Sequence, residues 1–202
     1  MAKHFVFLEI LDPEINALIL AITEILSGRS SIQPAHLTVR GPYDGLISES
    51  TIATCRSAMQ YDVLRIANVG RFSNLNEEVV YFQVDSPNLR SIWWKPKFAI
   101  GQYGFNPHFS LYRGKDRNWA DLVAQFLEGE RIELLCAEYR LVPYVTRQMQ
   151  LLPSDIPISR QFPHLLSAGR VHATFLARLT KLATQYKSRK GEDSNITQTL
   201  LI

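Results

Sequence analysis

Two short stretches decide how this chain reads: His36-Leu37-Thr38-Val39-Arg40-Gly41 and His108-Phe109-Ser110-Leu111-Tyr112-Arg113-Gly114. In each, a histidine is followed two residues later by a hydroxyl, with apolar residues between and after, then a basic residue and a closing glycine. Residues i and i+2 of a strand share a face. The pattern therefore predicts His36 beside Thr38 over a core packed by Leu37 and Val39, and His108 beside Ser110 over Phe109 and Leu111. A bare His-x-Ser/Thr is a weak signal. Its weight here comes from two strands with the same alternation and the same trailing Arg and Gly. A third match, His172-Ala173-Thr174, lies in a segment of helical spacing, where i and i+2 do not face each other, and is set aside.

The surroundings of the two stretches are alike. Residues 4–10 read as a buried strand. Asp12-Pro13-Glu14 has the signature of a helix start, Ile15 to Leu26 follow at helical spacing, and Gly28 stops the run. A strand over 35–40 ends at Gly41-Pro42, and a helix is expected over 47–60. Strands over 62–72 and 78–85 are joined by a hairpin connection at 73–76. Then come a short helix over 87–95, a strand over 107–113, a helix over 117–128, and strands over 131–141 and 144–152. Each half reads helix, His-bearing strand, helix, strand, strand, as a duplicated unit would. Beyond Leu152, three prolines mark a linker, residues 167–187 form a basic amphipathic segment, and the end reads as disordered. The expected division is a domain over 1–152 and an extension over 153–202.

Composition is that of a globular chain: 46% apolar and 20% charged. Lys and Arg exceed Asp and Glu by 22 to 19, a mild excess that suits one or two phosphates better than a long duplex. Cys55 and Cys136 stand far apart with no metal-binding spacing, and are expected as buried, reduced thiols. Neither a signal peptide nor the roughly 18 continuous apolar residues of a membrane span is present, so a cytoplasmic protein without membrane association is expected.

The paired His-x-Thr/Ser stretches resemble the motifs of the two-histidine (2H) phosphoesterase superfamily, which includes 2′-5′ RNA ligase-like proteins and cyclic nucleotide phosphodiesterases. The resemblance covers roughly residues 3–152. It implies an α+β, bilobal fold in which two antiparallel sheets line a central cleft in a pseudo-two-fold arrangement, with helices outside. It also implies opening of 2′,3′- or 1″,2″-cyclic phosphates, or cleavage of 2′-5′ and 3′-5′ phosphodiesters. Arg113 matches a basic residue after the second motif in the ligase-like branch; Arg40 sits one residue closer to its histidine.

Residue chemistry agrees with this. An imidazole, with an unperturbed pKa of about 6.5, serves as base or acid at neutral pH. His36 and His108 are the catalytic candidates, their individual roles open. Thr38, Ser110, Arg113 and Arg40 are candidates for the non-bridging phosphate oxygens. Phe7, Tyr43, Tyr103, Phe105 and Tyr112 are candidates to stack on a base. No metal or cofactor is called for. The expected substrate is a nucleotide cyclic phosphate or a short 2′-5′- or 3′-5′-linked oligonucleotide, linear or cyclic. Two alternatives stand beside an enzyme. One is a nucleotide- or RNA-binding module of the same fold without turnover. The other is an interaction protein whose 167–187 segment docks a partner or a second copy.

Overall fold

Asp12 starts the first helix as its sequence predicts: its side chain accepts from the N–H groups of Glu14 (3.0 Å) and Ile15 (2.9 Å). The helix ends at Gly28, which adopts φ 68°, a left-handed conformation that glycine takes without penalty. The computed structural model describes residues 2–28, 34–74, 76–93, 104–146 and 172–199, the stretch 191–199 by its backbone alone. In chain order the elements are β1 His4–Ile10, α1 Pro13–Ser27, β2 His36–Tyr43, α2 Glu49–Met59, β3 Leu64–Asn74 and β4 Glu77–Asp85. After them come α3 Leu89–Ile92, β5 His108–Gly114, α4 Arg117–Glu130, β6 Leu134–Cys136, β7 Tyr139–Val145 and α5 Ala173–Thr199.

The strands form two antiparallel sheets, ordered β2-β1-β7 and β5-β4-β3-β6, in an α+β fold with flanking helices. Each histidine strand is an edge, and β2 and β5 lie against one another where the sheets meet. Next to each is the strand that precedes it in sequence, β1 or β4, and third comes a strand contributed by the other half, β7 or β3. One continuous core runs behind both sheets. It takes Val6, Leu8, Leu37 and Leu141 from the first, Ile66, Val80, Phe82, Phe109 and Leu111 from the second, and the apolar faces of the helices. Each large side chain so buried contributes about 1.5–3 kcal/mol of hydrophobic free energy.

Several boundaries differ from the sequence reading. β2 runs on through Gly41 and Pro42 to Tyr43, because this strand needs no ladder donor from the proline at its end. The single strand expected over 131–141 is two, broken at Ala137-Glu138, where the chain leaves one sheet and enters the other. The strand expected over 144–152 begins earlier, and its residues from 147 lie outside those described. At the other end, helical backbone runs from Ala173 to Thr199, past the amphipathic segment and into residues expected to be disordered.

The α5 helix packs on α1 and α4, burying Phe175, Leu176, Leu179 and Ala183. Tyr186 stacks on Trp119 (4.8 Å). Among the described residues no helix is long and apolar enough to cross a membrane.

Candidate active site

The two histidine strands enter the fold in the same way. The Ile10 N–H donates to the Ala35 carbonyl and the Val84 N–H to the Pro107 carbonyl, both at 2.9 Å, so the residue before each histidine is pinned to the neighbouring strand. On α1, Asn16 adds a bond from the Ala35 N–H to its own Oδ1 (2.8 Å). The His36 ring Nδ1 lies 3.0 Å from the Pro34 carbonyl, and His108 Nδ1 lies 2.8 Å from the Asn106 carbonyl. A carbonyl oxygen only accepts, so in both rings Nδ1 carries the hydrogen. Nε2 is then the nitrogen that takes or gives a proton. The same two-residue backward bond in both halves fixes the same tautomer twice.

Thr38 and Ser110 share the faces of their histidines, half-buried, while Leu37, Val39, Phe109 and Leu111 are buried behind. Each strand then carries a β-bulge at the same place. Thr38 pairs with Phe7 but Arg40 with Val6, leaving Val39 as the extra residue; Ser110 pairs with Tyr81 but Tyr112 with Val80, leaving Leu111. A bulge reverses the alternation beyond it. It swings Arg113 onto the His108–Ser110 face, opposite Val79, where its Nη2 reaches within 3.5 Å of Ser110 Oγ.

The same device corrects two expectations. Arg40 comes opposite the core residue Val6, and its Nε donates to the Ile92 carbonyl (2.9 Å), so it does not stand with His36 and Thr38. Tyr112 comes opposite Val80 and is buried, where burial pushes its phenol up, so it offers no ring to a base. Among the other stacking candidates, Phe105 is covered by the Arg90 guanidinium (4.5 Å from the ring centre) and by the edge of Trp93 (5.5 Å). Tyr43 pairs with His4 at the far end of β2. Tyr103 lies outside the described residues. Phe7 is at the site but only 8% exposed, lying between His36 (4.5 Å) and Tyr144 (4.6 Å).

The sequence reading missed three residues of this face. Tyr81 on β4 stands 4.6 Å from the His108 ring, and Phe72 on β3 meets both that imidazole and Tyr81 at 5.6 Å. Tyr144 on β7 does the same for Phe7. The three lie in phase with their strands' alternation, but only the pairing register brings them to the histidines. Glu9, opposite His36, is held by Arg140 at 2.9 Å. Cys136 is buried, which raises its thiol to about 11, and Cys55 is buried as well. Among the described residues no group of three His, Cys, Asp or Glu side chains is placed to hold a metal ion.

No family model, no curated protein and no solved structure matches the chain.

Proposed function

We propose that this chain is a two-histidine phosphoesterase that breaks a phosphodiester or cyclic phosphate of a nucleotide or short oligonucleotide. The observation that carries the reading is the register equivalence of the two half-sites. Each supplies an imidazole with its hydrogen on Nδ1, a hydroxyl two residues on, and a bulge at the third residue. A shared core lies behind both sheets, and the histidine strands are their adjoining edges. That arrangement supports a bilobal, pseudo-two-fold fold with both imidazoles turned toward a common cleft.

In the proposed reaction one Nε2 removes a proton from the attacking hydroxyl or water, and the other protonates the departing oxygen. Thr38 and Ser110 donate to the non-bridging oxygens, and Arg113 balances the charge that grows there. Proton transfer by two imidazoles needs no metal ion. The roles of the two histidines exchange when the reaction runs backwards, so hydrolysis and ligation are one chemistry.

Phe175, Leu176 and Leu179 on the apolar side of α5 are buried on the domain itself, which favours a structural role for this helix over the docking role of the interaction-protein reading. The test is turnover in excess EDTA of 2′,3′-cyclic mononucleotides, ADP-ribose cyclic phosphate, and short 2′-5′-linked and cyclic oligonucleotides. Steady turnover of at least one is expected. Binding of these compounds without turnover would instead favour the non-catalytic module.

A further inference from the structure

Each imidazole is held at one corner by its Nδ1–H bond, which does not by itself set the plane of the ring. In both halves a second constraint stands at the same register position. Phe7 pairs directly with Thr38 and its ring lies nearly parallel to His36 (4.5 Å, 23°). Tyr81 pairs directly with Ser110 and lies 4.6 Å from His108 at 45°. A third ring backs each of them, placed two residues beyond the partner on the third strand. Phe7 pairs with Val142 and is backed by Tyr144, while Tyr81 pairs with Gly70 and is backed by Phe72. Inter-strand spacing is about 4.8 Å, so rings standing on adjacent strands meet at stacking distance.

The halves differ in how the middle ring is held. Tyr81 lies across Gly70, where a Cβ would run into its ring, and its hydroxyl accepts from Asn106 Nδ2 (3.2 Å). Asn106 is also the residue whose carbonyl holds His108 Nδ1, so carbonyl, imidazole, phenol and carboxamide close a loop. Pro34 stands at the corresponding place in the first half and has no such donor. There Phe7 is clamped instead, between His36 and the nearly parallel Tyr144 (22°).

We propose that Phe7 and Tyr81 are matched positioning residues. Phe7 sets the plane of His36 by ring stacking. Tyr81 sets that of His108 through its ring and its bond from Asn106. Phe7 is therefore no platform for a base. The catalytic consequence rests on the two-histidine reading; the positioning itself does not.

The experiment pairs kinetics in EDTA on the best phosphodiester with NMR of the imidazole nitrogens, for Phe7→Leu, Tyr81→Leu and Tyr81→Phe. In the two leucine variants kcat is expected to fall about tenfold or more with KM within about twofold, as misplacement of a reacting group does. The affected histidine alone is expected to lose its single Nδ1–H tautomer. Tyr81→Phe keeps the ring and is expected to recover most of kcat. Wild-type kcat and unchanged imidazole spectra in both leucine variants would overturn the proposal. If the wild-type protein turns over none of the compounds, the phosphoesterase reading fails by itself. The spectra then decide the positioning: mixed tautomers support it and unchanged ones overturn it. Should Phe7→Leu not fold, Tyr81→Leu, at a half-buried position, carries the test.

Discussion

Arg40 and Arg113 follow their histidines almost alike in sequence and yet end on different sides of their sheets. One residue of offset relative to the bulge decides it. Arg113 is exposed beside Ser110, whereas Arg40 is spent on the Ile92 carbonyl. This difference makes a paired prediction. Arg113→Ala should lower kcat/KM on a phosphodiester about tenfold to a hundredfold, the range for losing one charge-assisted contact to a developing oxyanion. Arg40→Ala should leave KM near wild type and lower the melting temperature, because a hydrogen bond from a charged group contributes about 1.5–3 kcal/mol. Steady-state kinetics beside thermal melts separate them; an equal fall in kcat/KM for both would contradict the bulge assignment.

At the scale of elements, the corner after β5 shows how the last helix is built into the site's support. Asp116 caps α4 by accepting from the Trp119 N–H (3.1 Å). It also accepts from the Tyr186 hydroxyl (2.9 and 3.0 Å) and from the Lys190 ammonium (2.6 Å). Burial works to raise this carboxyl. The Lys190 ammonium, the Trp119 N–H and the Tyr186 hydroxyl outweigh it and hold the group below the usual aspartate range. A carboxyl lowered on folding adds stability that is complete above its unfolded value, about 3.9, and is lost as pH falls through the lower folded value. Melts between neutral pH and pH about 2 should show that acid loss in the wild type and a smaller one in Asp116→Asn. Equal acid dependence in the two proteins would remove Asp116 from this role.

Among the described residues β7 is an edge strand, and that edge is managed too. Arg56 on α2 donates to the Leu141 carbonyl (3.1 and 3.0 Å), and Pro143 offers no N–H to a further strand. Most elements were legible, since Asp12 and Gly28 act through local rules and the helix after β5 shows in its apolar spacing. The bulges were not, because nothing in Thr38-Val39-Arg40 or Ser110-Leu111-Tyr112 marks an extra residue. Alternation alone put Tyr112 with the histidine and left Arg113 facing away. The split at Ala137-Glu138 was equally hidden, the apolar pattern being continuous across a change of sheet.

For the molecule as a whole, the two histidine strands border sheets of three and four strands, and in each the histidine strand lies next to the strand before it in sequence. The exchange of third strands, β7 into the first sheet and β3 into the second, was beyond a single sequence, because it rests on long-range pairing. The same exchange brings Tyr144 and Phe72 to the site, which is why neither was found. The C-terminal helix belongs to this whole: Phe175, Leu176 and Leu179 are buried, and Arg178 pairs with Glu130. Deleting residues 172–202 should uncover apolar surface on α1 and α4, lower the melting temperature by several degrees or more, and increase binding of a hydrophobic dye. An unchanged melt would mean that the helix is an appendage.

The central claim is that one imidazole from each half acts on the same phosphorus. The most direct test is kcat in excess EDTA for wild type, His36→Ala, His108→Ala and the double variant, all folded, on the best substrate. The account predicts a loss of about 10² or more in each single variant, the size expected for a positioned acid or base. It also predicts little further loss in the double variant, because residues acting as a unit are not additive. Near-wild-type turnover in either single variant would contradict it.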